Sequence, residues 1–217
     1  MDLAKDAVNI IEGYNFQEAH IVGLSMGGQV AQFVGAYFPK KVLSLTLIST
    51  SSSFKQLFEP KDSNSENELS RPTAGYTNFI HDPRYLRKSE QENLEDLLHT
   101  MRLLEEDYKF DREFHKELLK QSSLRSELNP CLSQVKAMRK SYALHSEALQ
   151  MINATTLIIQ GSIDPLFPKP DHAQSLANSI ANSKMVIVEN MGHIINPIFN
   201  DQIIELLTEH FGACSDF

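Results

Sequence analysis

The feature that most constrains the fold is an alternation of short apolar segments with helical patterns at both ends of the chain. The apolar segments lie at 19–24, 42–50, 155–161 and 184–190, and helical patterns lie at 26–37, 169–180 and 200–211. Such segments show no polar alternation, so both of their faces are expected to be buried. Strands that are apolar on both faces form parallel sheets covered by helices on each side. The sequence therefore predicts an α/β fold.

The middle of the chain breaks this alternation. No comparable strand pattern occurs over 51–150, where apolar residues at helical spacing predict helices around 94–104 and 132–142. A helical insert between two strands of one sheet commonly lies over the carboxyl ends of the strands, where open α/β sheets bind ligands. We therefore expect a core formed by 1–50 and 151–217, and a helical cap formed by 51–150.

One serine stands between glycines at the end of the first strand. The residues Gly23-Leu24-Ser25-Met26-Gly27 fit the G-x-S-x-G pattern, placed between a strand and a helix as a nucleophile elbow requires. Gly23 and Gly27 occupy the two positions that are expected to require small residues, because the strand and the helix approach closely there. The backbone N–H of Met26 is expected to point toward an oxyanion. The alternative is a glycine-rich turn with an incidental serine.

An acidic residue follows the third apolar segment. A nucleophilic serine needs a general base and an orienting acid, in the chain order Ser, Asp or Glu, His. Asp164 lies in the loop after 155–161, at the carboxyl edge of the predicted sheet, although Asp-Pro is also common turn chemistry. Asp171 is the nearby competitor, but its place at the start of a helix is explained by N-terminal capping.

A histidine follows the fourth apolar segment. His193 comes three residues after the end of 184–190, at the same predicted edge as Asp164, and it is the histidine with the position that a general base requires. The remaining histidines are expected to be solvated at the surface. They are His20, His81, His99, His115, His145, His172 and His210.

Three motifs together resemble the α/β-hydrolase superfamily: the elbow "GLSMGG", the acid loop "GSIDPLFP" and the histidine turn "NMGH". Within it, the chain looks most like small capped esterases and lactonases, including bacterial methyl-esterase-type hydrolases. The resemblance implies a serine carboxylic ester hydrolase that uses no metal and no organic cofactor. Ser25 would be the nucleophile, His193 the general base and Asp164 the residue that orients the histidine.

The expected substrate is a small to medium, partly apolar ester. The same residues could instead act on a lactone, a thioester or a carbon–carbon bond, or transfer an acyl group. An alternative hypothesis from another functional class is an inactive hydrolase fragment, or a remnant of a hydrolase that binds a partner.

The chain departs from this superfamily before the elbow. Members carry several strands there, and a loop that supplies a second oxyanion N–H. Only one helix and one strand precede Ser25, so the elbow strand is expected at the edge of a partial sheet that keeps the C-terminal part of the family's sheet. A truncated product, a fragment complemented by another chain, or a homodimer through the exposed edge would each fit.

Composition excludes several classes of function. The 217 residues carry a net charge of −8, which does not favour nucleic acid or an anionic membrane as a partner. No apolar run approaches the roughly 20 residues that a membrane helix needs. Cys131 and Cys214 form no metal-ligand spacing, and the N-terminus lacks the features of a secretory signal, so we expect a cytoplasmic protein.

Overall fold

Four parallel strands form the centre of the molecule. A computed structural model describes residues 1–59, 68–80, 90–106, 108–125, 137, 148–168 and 170–214. The strands are β1 (Ala19–Leu24), β2 (Val42–Ile48), β3 (Thr156–Gly161) and β4 (Ser183–Val188). They pair in the order β1-β2-β3-β4, and every pair is parallel. The predicted α/β class is confirmed.

Helices connect and cover the strands. They are α1 (Asp2–Gly13), α2 (Met26–Tyr37), α3 (Lys55–Phe58), α4 (Ala74–Ile80), α5 (Glu90–Leu104), α6 (Arg112–Ser123), α7 (Asp171–Ser179) and α8 (Asn200–Gly212). Pro39 begins a 3-10 turn directly after α2, where its ring would interrupt a continuing helix. The second strand ends two residues earlier than predicted, because Ser49 has a φ of 44° and leaves the extended conformation.

The sheet is buried on both faces, as its apolar strands require. On β3, Ile158 packs with residues of α1, α2 and α7 in one cluster. Its neighbours Leu157 and Ile159 point to the opposite face and pack with Phe199, directly before α8, and with Ile203 within it. Successive side chains of a strand point to opposite faces, so a wholly apolar strand serves two cores at once.

The strand that leads to Ser25 lies at one edge of the sheet. Among the strands in the described part of the chain, β1 pairs with β2 alone. Val22 and Leu24 are 46% and 37% exposed. The expectation of a partial sheet with the elbow strand at its edge is therefore confirmed. A complementing segment or a second copy at this edge stays a prediction.

The segment between β2 and β3 is helical wherever the structure describes secondary elements in it. Helices α3 to α6 lie there, α5 includes the predicted helix over 94–104, and the pattern over 132–142 lies outside the described residues except for Ala137. The backbone N–H of Thr73 donates to the carbonyl of Pro165, 2.8 Å away, so the segment contacts the loop after β3. The division into a core and a cap stays a prediction.

No helix among the described residues combines the length and the apolar character needed to cross a bilayer. Cys214 is a half-buried free thiol, whereas Cys131 lies outside the described residues.

The two-faced burial of β3 predicts a stability difference between two isoleucines. Ile158 is 1% exposed on β3 and Ile187 is 39% exposed on β4. Ile158→Ala should lower the free energy of unfolding by about 2–5 kcal/mol, because it leaves a cavity in the core. Ile187→Ala should cost no more than about 1 kcal/mol. Urea unfolding followed by circular dichroism measures both, and equal losses would contradict this packing.

Candidate active site

Three side chains from the carboxyl ends of three strands meet at one edge of the sheet. Ser25 follows β1, Asp164 follows β3 and His193 follows β4. The Oγ of Ser25 lies 2.9 Å from Nε2 of His193, and Nδ1 of His193 lies 2.9 Å and 3.1 Å from the two carboxylate oxygens of Asp164. The three predicted residues are therefore brought together in one chain of hydrogen bonds.

Ser25 is held in a backbone conformation that few residues adopt. Its φ is 53° and its ψ is −117°, in the left-handed half of backbone space. The N–H of Ser25 donates to the carbonyl of Ile48, 2.9 Å away, and its own carbonyl accepts from Thr50 Oγ1 at 2.8 Å and from the N–H of Gln29 at 3.3 Å. A strained backbone persists only where its surroundings determine it, and these hydrogen bonds do so.

Glycines let the helix start close to the strand, but not at both predicted positions. A Cβ on Gly23 would lie 2.3 Å from the carbonyl oxygen of Gly27, so Gly23 must lack a side chain. A Cβ on Gly27 would meet no atom within 4 Å, so the predicted steric need for glycine at position 27 is wrong. The second crowded position is Gly28, where a Cβ would lie 2.7 Å from the side chain of Thr50.

Met26 begins α2 directly after the serine. The first N–H groups of a helix have no acceptor within the helix, and the helix dipole makes this end partly positive. An N–H in this position can stabilise negative charge that develops next to Ser25 Oγ.

The carboxylate of Asp164 is fully buried, and both of its oxygens accept hydrogen bonds. Oδ1 accepts hydrogen bonds from the N–H groups of Leu166 and Phe167 at 2.8 Å and 3.0 Å, and Oδ2 accepts from Nε2 of Gln160 at 3.0 Å. Burial raises the pKa of Asp164, but the imidazole of His193 and the two N–H donors outweigh it, so the pKa lies below its ordinary value. The side chain is therefore an ionised acceptor at neutral pH.

Gln160 is a residue that the sequence analysis missed. Its Nε2 contacts Asp164 Oδ2 and also lies 3.4 Å from the carbonyl oxygen of Phe167, so it ties the carboxylate to the loop that follows. A polar residue in the otherwise apolar run "TTLIIQG" was the available signal. Buried polar side chains are normally hydrogen-bonded, so a buried glutamine next to the acid loop implies a partner there.

His193 has the tautomer that a general base needs. An ionised carboxylate can only accept hydrogen bonds, so Nδ1 of His193 carries the proton that faces Asp164. In the neutral imidazole, Nε2 then carries no hydrogen and can accept from the hydroxyl of Ser25. His193 as a whole is 4% exposed, and its backbone N–H donates to the carbonyl of Leu104 at 2.7 Å.

A second serine–histidine pair lies in the same region. The Oγ of Ser51 lies 2.7 Å from Nδ1 of His172, whose Nε2 lies 2.9 Å from the carbonyl of Ser70. Ser51 is completely buried, and burial lowers the pKa of His172. This pair presents no accessible hydroxyl, and a backbone carbonyl stands where the first pair has a carboxylate.

The surface position expected for two histidines is therefore wrong. His172 packs against the ring of Phe167, and His115 lies in contact with Glu105; both histidines are buried. Asp171, the competing acid, lies in the first turn of α7, but the predicted capping role is wrong, because Pro170 is the N-cap residue. The Asp171 carboxylate instead accepts hydrogen bonds from the N–H and the hydroxyl of Ser70.

An apolar cluster lies beside the hydrogen-bonded chain. Phe167 stands edge-on to the imidazole of His193, with ring centroids 5.5 Å apart. The cluster contains Phe54, Leu104, Leu166 and Phe167, with Leu57, Phe58, Tyr76 and Ile194 packed against them. Its members come from the segment between β2 and β3 (the insert), from the loop after β3 that carries Asp164 (the acid loop) and from the loop after β4 that carries His193 (the histidine loop).

The elbow geometry predicts unequal effects of alanine at two adjacent glycines. Gly28→Ala should destabilise the fold by about 1–3 kcal/mol, because its Cβ forces Thr50 out of place. Gly27→Ala should change the free energy of unfolding by less than about 1 kcal/mol. Denaturant unfolding midpoints of the two variants measure this difference, and a more stable Gly28→Ala variant would contradict the described contact.

The lowered pKa of Asp164 predicts a pH-dependent contribution to stability. An unfolded aspartate protonates near pH 3.9, whereas the native carboxylate stays ionised to lower pH, so acid favours the unfolded chain over this window. The stabilisation relative to Asp164→Asn should be largest above about pH 5 and shrink as the pH falls through the native pKa. Urea unfolding of both proteins at several pH values measures this loss.

The control is Asp201→Asn, which removes an exposed carboxylate from the first turn of α8. This variant should follow the wild-type pH dependence. If the Asp164→Asn variant also followed it, the described environment of Asp164 would be contradicted.

Curated proteins similar to this chain include ester hydrolases. Rhodomycin D methylesterase DnrP of Streptomyces peucetius is 27% identical over 222 residues, which cover 99% of this chain and 74% of that protein. Monoacylglycerol lipase ABHD6 of Rattus norvegicus is 30% identical over 194 residues, which cover 83% of this chain and 51% of the lipase.

Solved structures share the fold. An esterase (EaEST) from Exiguobacterium antarcticum superposes with a TM-score of 0.72 at 19% identity, covering 96% of this chain and 72% of the esterase. 2-Hydroxy-6-oxo-6-phenylhexa-2,4-dienoate hydrolase from Rhodococcus sp. strain RHA1 gives a TM-score of 0.66 at 18% identity, covering 96% of this chain and 69% of the hydrolase. The sequence profile described as "alpha/beta hydrolase fold" matches residues 1–198. This profile covers most of the chain, and the site geometry and the similar proteins agree with it. The chain therefore belongs to the α/β hydrolase fold family.

Proposed function

We propose that this chain hydrolyses carboxylic esters of small to medium, partly apolar substrates through an acyl-enzyme on Ser25. The observation that carries the proposal is the hydrogen-bonded chain from Ser25 Oγ through His193 to the buried carboxylate of Asp164. A serine hydroxyl becomes an effective nucleophile when a positioned base takes its proton, and this geometry offers that base.

The first half-reaction forms the acyl-enzyme. Ser25 Oγ attacks the carbonyl carbon of the ester while its proton moves to Nε2 of His193. Asp164 stays ionised and stabilises the imidazolium through Nδ1. The N–H of Met26 donates to the developing oxyanion. His193 then gives its proton to the alcohol oxygen as the carbon–oxygen bond breaks.

The second half-reaction releases the acid. A water molecule attacks the acyl carbon while His193 takes one of its protons. The bond between the carbon and Ser25 Oγ breaks, and the proton held by His193 returns to the serine. The carboxylic acid leaves, and the site is restored without any other co-reactant.

The preference for a partly apolar substrate is supported by the surroundings of His193. The ring of Phe167 contacts the imidazole, and further apolar residues from the insert pack in the same buried cluster. Apolar pockets with few polar groups are typical of small-molecule sites. The similarity to a methylesterase and a monoacylglycerol lipase also supports ester hydrolysis.

The proposal predicts that hydrolysis of short p-nitrophenyl esters depends on Ser25. The Ser25→Ala variant should show only the background rate, and Asp164→Asn should lose activity by on the order of 10⁴-fold, because its histidine would take the wrong tautomer. Steady-state assays at neutral pH measure both. A fluorophosphonate probe should label the wild-type chain and not the Ser25→Ala variant.

The matched control is Ser51→Ala, which removes the other serine hydroxyl that contacts an imidazole. This variant should keep both labelling and turnover, because Ser51 is completely buried and presents no hydroxyl to a substrate. Equal rates for wild type and Ser25→Ala would contradict the proposal. So would labelling that is lost only in the Ser51→Ala variant.

A further inference from the structure

A buried polar cluster lies behind the histidine loop, away from Ser25 and Asp164. Glu105, His115 and Asn196 are 1%, 2% and 3% exposed. Asn196 Nδ2 donates to Oε2 of Glu105 at 3.0 Å, and Nε2 of His115 lies 2.8 Å from Oε1 of Glu105. The proposed reaction uses none of these three side chains.

The cluster joins the insert to the loop that carries His193. Glu105 follows the last residue of α5, His115 lies on α6, and Asn196 comes three residues after His193. The insert helices and the histidine loop therefore share one set of buried polar contacts.

The backbone makes a second connection at the same place. The N–H of His193 donates to the carbonyl of Leu104, 2.7 Å away. A Cβ on Gly192 would lie 2.2 Å from that carbonyl oxygen and 2.7 Å from Cα of Glu105. A glycine directly before His193 is what allows the two segments to come this close.

We propose that Glu105 is a positioning residue for His193, acting through Asn196 and the Leu104–Glu105 peptide. The inference rests on the proposed function, because it assigns Glu105 to the same hydrolytic site. The histidine loop is fixed at two points, at the N–H of His193 by a backbone carbonyl and at Asn196 by the carboxylate of Glu105.

The physical reason is the short range of general base catalysis. The imidazole must stay within hydrogen-bond reach of Ser25 Oγ, and a displacement of about 1 Å can cost on the order of 100-fold in rate. Asn196 Oδ1 also accepts from the N–H of Ile198, which fixes the 3-10 turn after the loop. If the bond to Glu105 is lost, the segment between these anchors gains freedom at His193.

Glu105 is proposed to act as the hydrogen-bond acceptor for Asn196. Burial raises the pKa of Glu105, the hydrogen bond from Asn196 and the nearby imidazole of His115 lower it, and Asp111 raises it, with a net rise. A glutamine at this position keeps an oxygen that can accept from Asn196 Nδ2. A methionine of similar length keeps the volume and loses that acceptor.

The test compares Glu105→Met with Glu105→Gln in the full chain, using p-nitrophenyl ester hydrolysis normalised by fluorophosphonate titration of active sites. Glu105→Met should lower kcat at least about tenfold and leave KM within about threefold, because a positioning residue acts on the chemical step. Glu105→Gln should keep kcat within about threefold of wild type, as the retained acceptor predicts.

The control is Glu113→Met on α6, which removes an exposed carboxylate and should leave both constants unchanged. If Glu105→Met is recovered unfolded, Asn196→Ser decides, since it removes the amide donor and keeps an oxygen for the 3-10 turn; its kcat should fall in the same way. A folded deciding variant with kcat within about twofold of wild type, or a rise in KM alone, would overturn the inference.

The two proposals fail in different ways. A wild-type chain without Ser25-dependent hydrolysis would overturn the proposed function and this inference with it. A wild-type chain that is active, with folded variants that are equally active, would overturn the inference alone.

Discussion

The site depends on one constrained turn, in which the chain passes from β1 into α2 through Ser25. The left-handed φ of this serine lifts its hydroxyl above the edge of the sheet and starts the helix one residue later. Two hydrogen bonds to its carbonyl and one from its N–H hold the turn, and Gly23 leaves room for the helix backbone. A tight turn of this kind exposes a side chain at the end of a rigid strand.

The other two side chains reach the serine because parallel strands end at the same edge. Asp164 and His193 lie in loops that are fixed by buried hydrogen bonds, from Gln160 in the first case and from the insert in the second. Buried hydrogen bonds of this kind restrict the conformations that a loop can adopt. The insert is therefore a support for the histidine loop as well as a neighbour of the apolar cluster.

Much of this arrangement could be predicted from the sequence, since it depends on local patterns. The apolar strands, the elbow and the order of serine, acid and histidine are visible in short segments, and the structure brings Ser25, Asp164 and His193 together. The buried positions of His115 and His172 depend on partners about ten and one hundred residues away. Glycine is needed at position 28, and not at position 27, because the side chain of Thr50, just after β2, lies against Gly28. A local sequence pattern does not contain that contact.

The central claim is that Ser25 attacks an acyl carbon while the N–H of Met26 faces the oxyanion. The most direct measurement is a crystal structure of the chain after reaction with a fluorophosphonate, whose tetrahedral adduct imitates the acylation intermediate. The account predicts phosphorus bonded to Ser25 Oγ, with a phosphonyl oxygen about 2.7–3.1 Å from the backbone nitrogen of Met26. An adduct on another residue, or a phosphonyl oxygen turned away from Met26, would contradict it.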